Sequence, residues 1–416
     1  MVAKRIHCLE SLPVWPALVW AMILAGSASG ITILVPEHYP KITDALVWAT
    51  NGDEIIVSPG VYVENIENQG PIWFKGKNVI LRSVNPTDPA TVAATIIDGN
   101  KKGPVVTFAG TETSSRVLSG FTIRNGNGGI YDRGNISPGK GGKARIEHNM
   151  ISNNSVTGYG GGLWGCNGTI RDNVIAGNSA SGAGGGLYQC NGTIQNNVIT
   201  SNSGYSTGGG LDECNGTIQN NVITSNSASA PTNLACGGGL YQCNGTIQNN
   251  VITSNSASAN GYDFAYGSGL GKCKGTIRNN TICYNSATGQ GGGFYECTGV
   301  IANCIIWGNT ARVYSQVSYD SIPNYSCIQG YTVGQGQGNI GLNPRFVGTN
   351  DFHLLPDSPC IDAGTNTNCP TTDKDGNKRP YDGNGDGQAV CDMGAYEYVG
   401  RPYRVSVPPR LWTLYR

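Results

Sequence analysis

The sequence predicts an all-β fold, a right-handed parallel β-helix whose coils of ~24 residues stack along one axis. The first observation is a repeated unit, which reads GGGLYQCNGTIQNNVITSNS at residues 184–203. The second is the spacing of its apolar residues, which fall in three short bursts at Leu187, Ile194 and Ile199. Bursts separated by Asn and Gly predict three short strands per coil, joined by tight bends. Strong helix formers are nearly absent from the unit, which argues against a helical solenoid.

Two asparagine columns are the third observation. One contains Asn149, Asn173, Asn197, Asn221, Asn250 and Asn280, and the other contains Asn125, Asn154, Asn178, Asn202, Asn226, Asn255, Asn285 and Asn309. Bends at the same place in every coil would stack these side chains, and Asn both tolerates left-handed backbone angles and forms amide ladders. The isoleucines keep step with the asparagines, which excludes a merely Asn-rich disordered segment.

A column of cysteines marks the copies, with steps of 24, 24, 29, 30 and 24 residues. Its members are Cys166, Cys190, Cys214, Cys243, Cys273 and Cys297. Parallel strands that stack at about 4.8 Å hold neighbouring Cβ atoms too far apart for a relaxed disulfide, so we expect packed thiols. Strict alternation from an inward Leu187 would turn Cys190 outward, and a bend between the two is therefore predicted.

Composition agrees with a long stacked β structure. The chain has 416 residues, a formal net charge of zero, 13% charged residues and 62 glycines. Average domains carry about 25% charged residues and about 7% Gly. A neutral chain gives no electrostatic reason to expect nucleic acid or an anionic membrane as a partner. We expect a monomer.

The N-terminal stretch, residues 1–30, is predicted to be a secretory signal peptide. Lys4 and Arg5 precede an apolar run from Leu12 to Leu24, and small residues suited to cleavage follow. The apolar run is too short to span a bilayer, which needs about 20 residues. We therefore expect a secreted or cell-surface protein with no transmembrane span after removal of the signal.

The rest of the chain divides by its pattern. A strand, a short helix and a strand are predicted at the start, as a cap that covers the exposed edge of the first coil. The predicted segments are 31–66 for this cap, 67–346 for the β-helix with regular coils at 144–310, 347–398 for an irregular C-terminal cap, and 399–416 for a tail. In the C-terminal cap, a disulfide is expected among Cys360, Cys369 and Cys391 if the protein is exported.

Three stretches resemble secreted bacterial β-helix proteins of the pectin-lyase-like superfamily. They are the opening GDEIIVSPGVYVEN with TIIDGN and LSGFTIRNG, the repeated coils, and the ending that runs from NPRFVGTNDFHLLPDSPCIDAG to CDMGAYEY. The ending is similar to the choice-of-anchor Q domain, which implies the end of a β-helix near a cell-surface anchor. No sorting signal follows Tyr398, which departs from that context. The superfamily includes lyases, hydrolases, esterases and adhesins, so the resemblance implies fold and export and not one activity.

One face of the regular coils is a candidate ligand-binding stripe. The residue after the Leu of each copy and the next one are predicted to point outward, as aromatic, amide and charged groups. The candidates are Trp164, Tyr188, Gln189, Tyr241, Gln242, Tyr295 and Glu296. Sugar rings stack on aromatic faces, so an extended glycan, a polysaccharide or a cell-surface glycan, is the expected partner. The alternative is that stacked Tyr and Gln only stabilise a sheet face.

Catalysis has weaker candidates, namely Asp212, Glu213 and Lys272. Glycoside hydrolysis needs paired carboxylates and elimination needs a base beside cations. Asp212 and Glu213 are adjacent and would face different ways on a strand, whereas Lys272 and Glu296 lie one coil apart and are expected to form a surface ion pair. No cluster matches the catalytic sets of polygalacturonases, pectate lyases or pectin methylesterases, and the histidines suit neither a triad nor zinc.

The segment DGNGDG at 382–387 matches the first half of a calcium loop, with oxygen ligands at alternate positions and Gly at the sixth. The position where an acidic residue should close such a loop is occupied by Met393. The candidate ligands are Asp373, Asp375, Asn377, Asp382, Asn384 and Asp386, and any Ca²⁺ here would have a structural role. The alternative is a surface turn rich in Asp and Gly.

Together these patterns predict an exported β-helix that binds carbohydrate or another surface partner, or acts as a scaffold, without turnover. The alternative is a polysaccharide lyase or glycoside hydrolase acting along the helix face.

Overall fold

A computed structural model describes residues 30–64, 72–136, 142–230, 234–260, 264–332 and 336–400. The predicted signal peptide, apart from Gly30, and the tail beyond Gly400 lie outside these residues. The described strands pair in parallel into five sheets, and the predicted right-handed parallel β-helix is confirmed. Three long sheets, here called A, B and C, form its walls, and the three predicted apolar bursts supply their strands.

Sheet A contains eleven strands. They are Thr32–Val35, Glu54–Val57, Ile80–Ser83, Val117–Ser119, Arg145–Glu147, Thr169–Arg171, Thr193–Gln195, Thr217–Gln219, Thr246–Gln248, Thr276–Arg278 and Val300–Ala302. Sheet B also contains eleven. They are Gly60–Val63, Thr95–Asp98, Thr122–Arg124, Met150–Ser152, Val174–Ala176, Val198–Thr200, Val222–Thr224, Val251–Thr253, Thr281–Cys283, Ile305–Trp307 and Cys327–Ile328.

Sheet C contains nine strands. They are Ile72–Trp73, Val106–Phe108, Ile130–Asp132, Leu163–Trp164, Leu187–Tyr188, Leu211–Asp212, Leu240–Tyr241, Leu270–Gly271 and Phe294–Tyr295. A fourth sheet, D, was not predicted, because its strands consist of small Ser, Ala and Gly residues and one Val. They are Ser155–Val156, Ser179–Ala180, Ser203–Gly204, Ser227–Ala230, Ser256–Ala259 and Ser286–Ala287, and the insertions add one further pair, Ala235–Cys236 with Ala265–Tyr266.

The core is built from apolar columns that repeat once per coil. The central residue of each three-residue strand of sheets A and B points inward, as Ile194 does in sheet A and Ile199 in sheet B, and both are fully buried. Leu187 of sheet C is buried with them. Each coil therefore buries its apolar residues against the coils above and below, as expected of a solenoid.

Both asparagine columns are buried hydrogen-bonded ladders. The Asn226 amide donates to Asn255 Oδ1 (3.0 Å) and to the Ile199 carbonyl (2.8 Å), and Asn226 Oδ1 accepts from the backbone N–H of Asn202 (3.0 Å). The left-handed residue of the first bend is the one before the ladder asparagine, as at Asn196 and Asn220.

The prediction that Asn125 belongs to the second column is wrong. Asn125 aligns with Asn153, takes the left-handed angle (φ 57°) and donates to Asp98, while Gly126 occupies the ladder position and donates its N–H to Asn154. None of the ladder asparagines has a positive φ in the described chain, so the expectation that they take the left-handed angle is wrong.

The six column cysteines are buried free thiols, as predicted. The bend that turns Cys190 inward is present: Gln189 has a φ of 50°, which reverses the strand alternation after Tyr188. Burial raises the pKa of the Cys190 thiol well above its usual value, so this thiol stays protonated and behaves as apolar packing.

The N-terminal segment has the predicted strand–helix–strand order. Helix α1 spans Ile42–Trp48 and buries Ile42, Ala45 and Leu46 against the first strands of sheets A and C. A second helix, α2, spans Pro89–Ala94 and starts at an Asp88 cap that accepts the Thr91 N–H. A 3₁₀ turn follows at Arg133–Ile136.

The C-terminal segment, residues 347–398, packs along the outer face of sheet B. Its apolar residues, such as Phe352 and Met393, form one cluster with the outward side chains of sheet B. Left-handed corner residues of three coils also hold it: the Asn249, Asn279 and Asn303 amides donate to its carbonyls at 2.8–3.1 Å. The segment thus covers the flank of several coils.

The expected disulfide in this segment joins Cys369 to Cys391, whereas Cys360 is free. Nearby, Arg379 is fully buried, 3.3 Å from the Glu397 carboxylate, and donates to the Gly394 carbonyl. These bonds order a segment that is nearly devoid of regular strands.

Candidate functional site

The register of sheet C places the predicted stripe in one column. Trp164, Tyr188, Asp212, Tyr241, Gly271 and Tyr295 pair in sequence across six coils. The residues that follow the last five of them have φ between 48° and 54° and lie half-buried at the bend; they are Gln189, Glu213, Gln242, Lys272 and Glu296. We call these two rows together the stripe. The bend that sends the cysteines inward therefore also fixes the edge of the stripe.

Two stacked tyrosine pairs lie on the stripe. Tyr159 stacks on Tyr188 with ring centroids 4.8 Å apart, and Tyr266 stacks on Tyr295 at 4.5 Å, both with an interplanar angle of 20°. Tyr159 is 47% exposed. Sequence reasoning missed Tyr159 and Tyr266, although each is an aromatic residue close before a glycine-rich corner, a signal that could have found them.

Trp164 continues the aromatic row toward the N-terminus. Its ring lies 4.5 Å from the Tyr131 ring, and its indole Nε1 is buried with no hydrogen-bond partner. The aromatic part of the stripe thus begins one coil before the regular repeats.

The prediction that this whole column points to solvent is wrong at Asp212 and Tyr241. Asp212 is 1% exposed and Tyr241 is 9% exposed. The chain before each strand turns tightly at a left-handed glycine, Gly208 (φ 57°) and Gly237 (φ 66°), but the same turn precedes the half-buried Tyr188, so it does not by itself explain the burial. The insertion that ends at Cys236 adds a wall, since Cys236 interacts electrostatically with both.

Asp212 is the one carboxyl in a column of aromatic residues. Its Oδ2 is buried with no hydrogen-bond partner. Burial raises its pKa to about 8, against the opposing effect of the Thr207 side chain, and the adjacent Glu213 contributes to the rise. Asp212 is therefore mostly protonated at neutral pH and adds little charge to the stripe.

The remaining polar groups of the stripe bond to their neighbours one coil away. Glu213 accepts from Gln189 Nε2 at 2.7 Å and from the Tyr188 hydroxyl at 3.4 Å. The predicted ion pair between Lys272 and Glu296 is present, at 3.6 Å. Burial and the neighbouring Glu213 carboxylate raise the pKa of Tyr188, so its hydroxyl stays protonated.

The structure does not bring the three catalytic candidates together into one hydrogen-bonded group. Asp212 is enclosed, Glu213 is bonded to Gln189 and Tyr188, and Lys272 is paired with Glu296. Glu213 and Lys272 lie two coils apart, which is about 10 Å at the spacing of parallel strands. This separation exceeds the reach of a hydrogen-bonded acid–base pair.

A shallow polar groove of about 650 Å³ follows the neighbouring corner, between sheets C and A. An exposed asparagine ladder lines it, in which Asn215 Oδ1 accepts the Asn244 N–H at 2.8 Å. The glycines between Asn and Thr allow the coils to approach: a Cβ on Gly216 would lie 1.9 Å from the Gly192 carbonyl oxygen. The Asn-Gly-Thr corners thus serve as stacked bends.

The six candidate calcium ligands lie in two loops of the C-terminal segment. In the second loop, Asp382 accepts the backbone N–H of Gly385, Asp386 and Gly387. In the first, Asp373 accepts the N–H of Asp375, Asn377 and Glu397.

In the described part of the chain, no three His, Cys, Asp or Glu side chains converge in a way that could hold a metal ion. The Ca²⁺ site remains a prediction.

The comparison with known proteins concerns the fold alone. No protein-family model and no curated protein matches the chain. Among solved structures it is similar to pectate lyase Pel9A, at 13% identity and a TM-score of 0.46, over 89% of this chain and 97% of that one. It is also similar to the PL6 family alginate lyase AlyGC, at 14% identity and a TM-score of 0.31, over 89% of this chain and 59% of that one. At these values no activity is carried over.

A search of the described residues finds no helix with the length and hydropathy of a membrane span.

Proposed function

We propose that this protein is an exported β-helix that binds an extended glycan along the stripe and does not turn it over. The observation that carries the proposal is the pair of tyrosine platforms, Tyr159 with Tyr188 and Tyr266 with Tyr295. Aromatic faces of this kind stack against the apolar faces of sugar rings, and the amides of Gln189 and Gln242 offer hydrogen bonds to hydroxyl groups.

The separation of the platforms sets the length of the ligand. Tyr188 and Tyr295 are four coils apart, which is about 19 Å at the spacing of parallel strands. A glycan long enough to reach both platforms binds the second one intramolecularly, so its affinity exceeds that of a short fragment. Between them Tyr241 is buried and Gly271 has no side chain, so the two ends carry the aromatic contacts.

Export is supported by two features. The predicted signal peptide precedes the first strand, and the C-terminal segment contains the Cys369–Cys391 disulfide. Disulfides persist in oxidising compartments and are rare in the cytosol. The resemblance of this segment to a choice-of-anchor Q domain suggests a location at the cell surface.

Turnover by lysis or hydrolysis is the second candidate function. Its support is Asp212, because a carboxyl with a pKa raised to about 8 could supply a proton at neutral pH. Its exposure of 1% argues for the binding role, since a general acid must reach the glycosidic oxygen.

The test is binding of the purified protein to neutral and acidic oligosaccharides of increasing length, combined with mass spectrometry of the products. We expect unchanged oligosaccharides and an affinity that rises once the chain can span both platforms. Tyr188→Ala and Tyr295→Ala should each remove this rise, whereas Tyr319→Ala, a 72% exposed tyrosine outside the stripe, should leave it. Products lighter than hydrolytic ones by one water would establish a lyase, and products of full mass a hydrolase; either would refute the binding role.

A further inference from the structure

The charges of the stripe are arranged unevenly. Its single cation, Lys272, lies 3.6 Å from Glu296, which neutralises it. Among the described residues Glu213 has no salt-bridge partner: its partners are the Gln189 amide and the Tyr188 hydroxyl. In the described chain the stripe therefore presents one uncompensated carboxylate and no free positive charge between its two platforms, and the exposed Lys274 lies beyond it, in the neighbouring polar groove.

The arginines of the regular coils that could attract an anionic ligand are engaged elsewhere. Arg145 and Arg171, on sheet A, bond to Glu147 at 3.1 and 2.8 Å. Arg278, also on sheet A, donates to Gln248 at 2.9 Å and to the Asn368 carbonyl of the C-terminal segment. All three lie on a different wall of the coil from the stripe, and none offers it a guanidinium.

The hydrogen-bonding groups that remain suit hydroxyls. The Tyr188 hydroxyl is kept protonated, and the amides of Gln189 and Gln242 each combine a donor with an acceptor. Recognition of carboxylates in proteins relies on arginine forks or lysine, which the stripe lacks in unpaired form. A uronate chain laid across the stripe would bring its carboxylates against Glu213 without compensation, which is unfavourable.

We propose that the stripe selects glycans without charge and rejects polyuronates. The inference rests on the proposed function, because it names the class of glycan that the same surface binds. The platforms supply the affinity and the carboxylate of Glu213 supplies the discrimination, since specificity is a difference between two affinities.

The test compares oligosaccharides of matched length by calorimetry, with EDTA present so that no bridging cation links two carboxylates. The probes are hexasaccharides of glucose, mannose and xylose on one side and of galacturonate, mannuronate and guluronate on the other. We expect the best neutral probe to bind at least ten times more tightly than the best uronate at low salt. Repulsion is screened by salt, so the affinity for uronates should rise as salt is added.

Glu213→Gln is the matched variant, because it keeps the shape of the side chain and removes its charge. It should reduce the ratio of affinities between the neutral and uronate probes three- to tenfold. Glu37→Gln, on an exposed residue of the N-terminal segment, should not change this ratio. Equal or tighter binding of a uronate, or a gap that Glu213→Gln leaves intact, would overturn the inference alone. Failure of every probe to bind would refute the proposed function and the inference together.

Discussion

The buried ladders make a quantitative prediction at Asn226. Its side chain is fully buried and takes part in four hydrogen bonds, two donated by the amide and two accepted by Oδ1. Asn226→Ala removes all four and deprives the buried N–H of Asn202 and the carbonyl of Ile199 of these partners. Each buried group left unsatisfied costs about 1–3 kcal/mol, so we expect the free energy of unfolding to fall by about 2–6 kcal/mol.

The exposed ladder supplies a matched control. Asn215 makes the same kind of bond, since its Oδ1 accepts the Asn244 N–H and its amide donates to the Glu213 carbonyl at 3.1 Å. Water can replace these bonds at the surface. Asn215→Ala should therefore lower the free energy of unfolding by less than about 1 kcal/mol.

Urea unfolding followed by circular dichroism measures both variants. Because stacked repeats can open locally, hydrogen exchange of the peptide that contains Ile199 and Asn202 should also show lost protection in Asn226→Ala. Equal losses in the two variants, or a loss below about 1 kcal/mol at Asn226, would show that the buried ladder stabilises the coils no more than the exposed one.

Two further predictions concern backbone packing and pH. Gly216→Ala places a Cβ 1.9 Å from a carbonyl oxygen of the previous coil, so it should lower the free energy of unfolding by about 1–3 kcal/mol or more, measured in urea. Gly348→Ala is the control and should be nearly neutral, because the atom nearest to the new Cβ is 3.8 Å away. Burial alone lowers the pKa of His353, but its bonds to Asp375 (2.9 Å) and Asp351 outweigh this and raise it. The stabilisation of the folded protein by His353 is therefore complete below the unfolded pKa of about 6.5 and is lost as pH rises through the folded pKa. Unfolding midpoints that fall over this pH range in the wild type but not in His353→Gln would confirm this prediction.

Much of the fold follows from the period of the sequence. In a solenoid each residue packs against the equivalent residue of the next coil. A column such as the one that contains Cys190 and Cys214 can therefore be placed without knowledge of the rest of the chain. The inward turn of Cys190 was predictable for the same reason: strand alternation fails there, and one residue must take a left-handed angle. Gln189 takes it.

The unpredicted features depend on contacts that the period does not encode. Sheet D lacks large apolar residues, so its strands carry no hydrophobic signal. The position of residues 347–398 depends on bonds from corner residues such as Asn249 and Asn303, which look like ordinary bend residues in the sequence. The burial of Asp212 and Tyr241 coincides with the insertion that ends at Cys236, which does not belong to the regular repeat.

The residues that depart from the repeat determine the charge and shape of the stripe. A uniform column of Tyr and Gln would be a stabilised sheet face that treats every sugar alike. Asp212 and Glu213 replace a Tyr–Gln pair in one coil, and Gly271 and Lys272 replace another. The first change introduces the uncompensated carboxylate of Glu213. The second introduces Lys272, whose charge Glu296 neutralises, and it places a residue without a side chain, Gly271, beside Tyr295, on which Tyr266 stacks. Neither change alters the inward apolar residues or the buried asparagine ladders, which continue through both coils, and this independence favours a role in recognition.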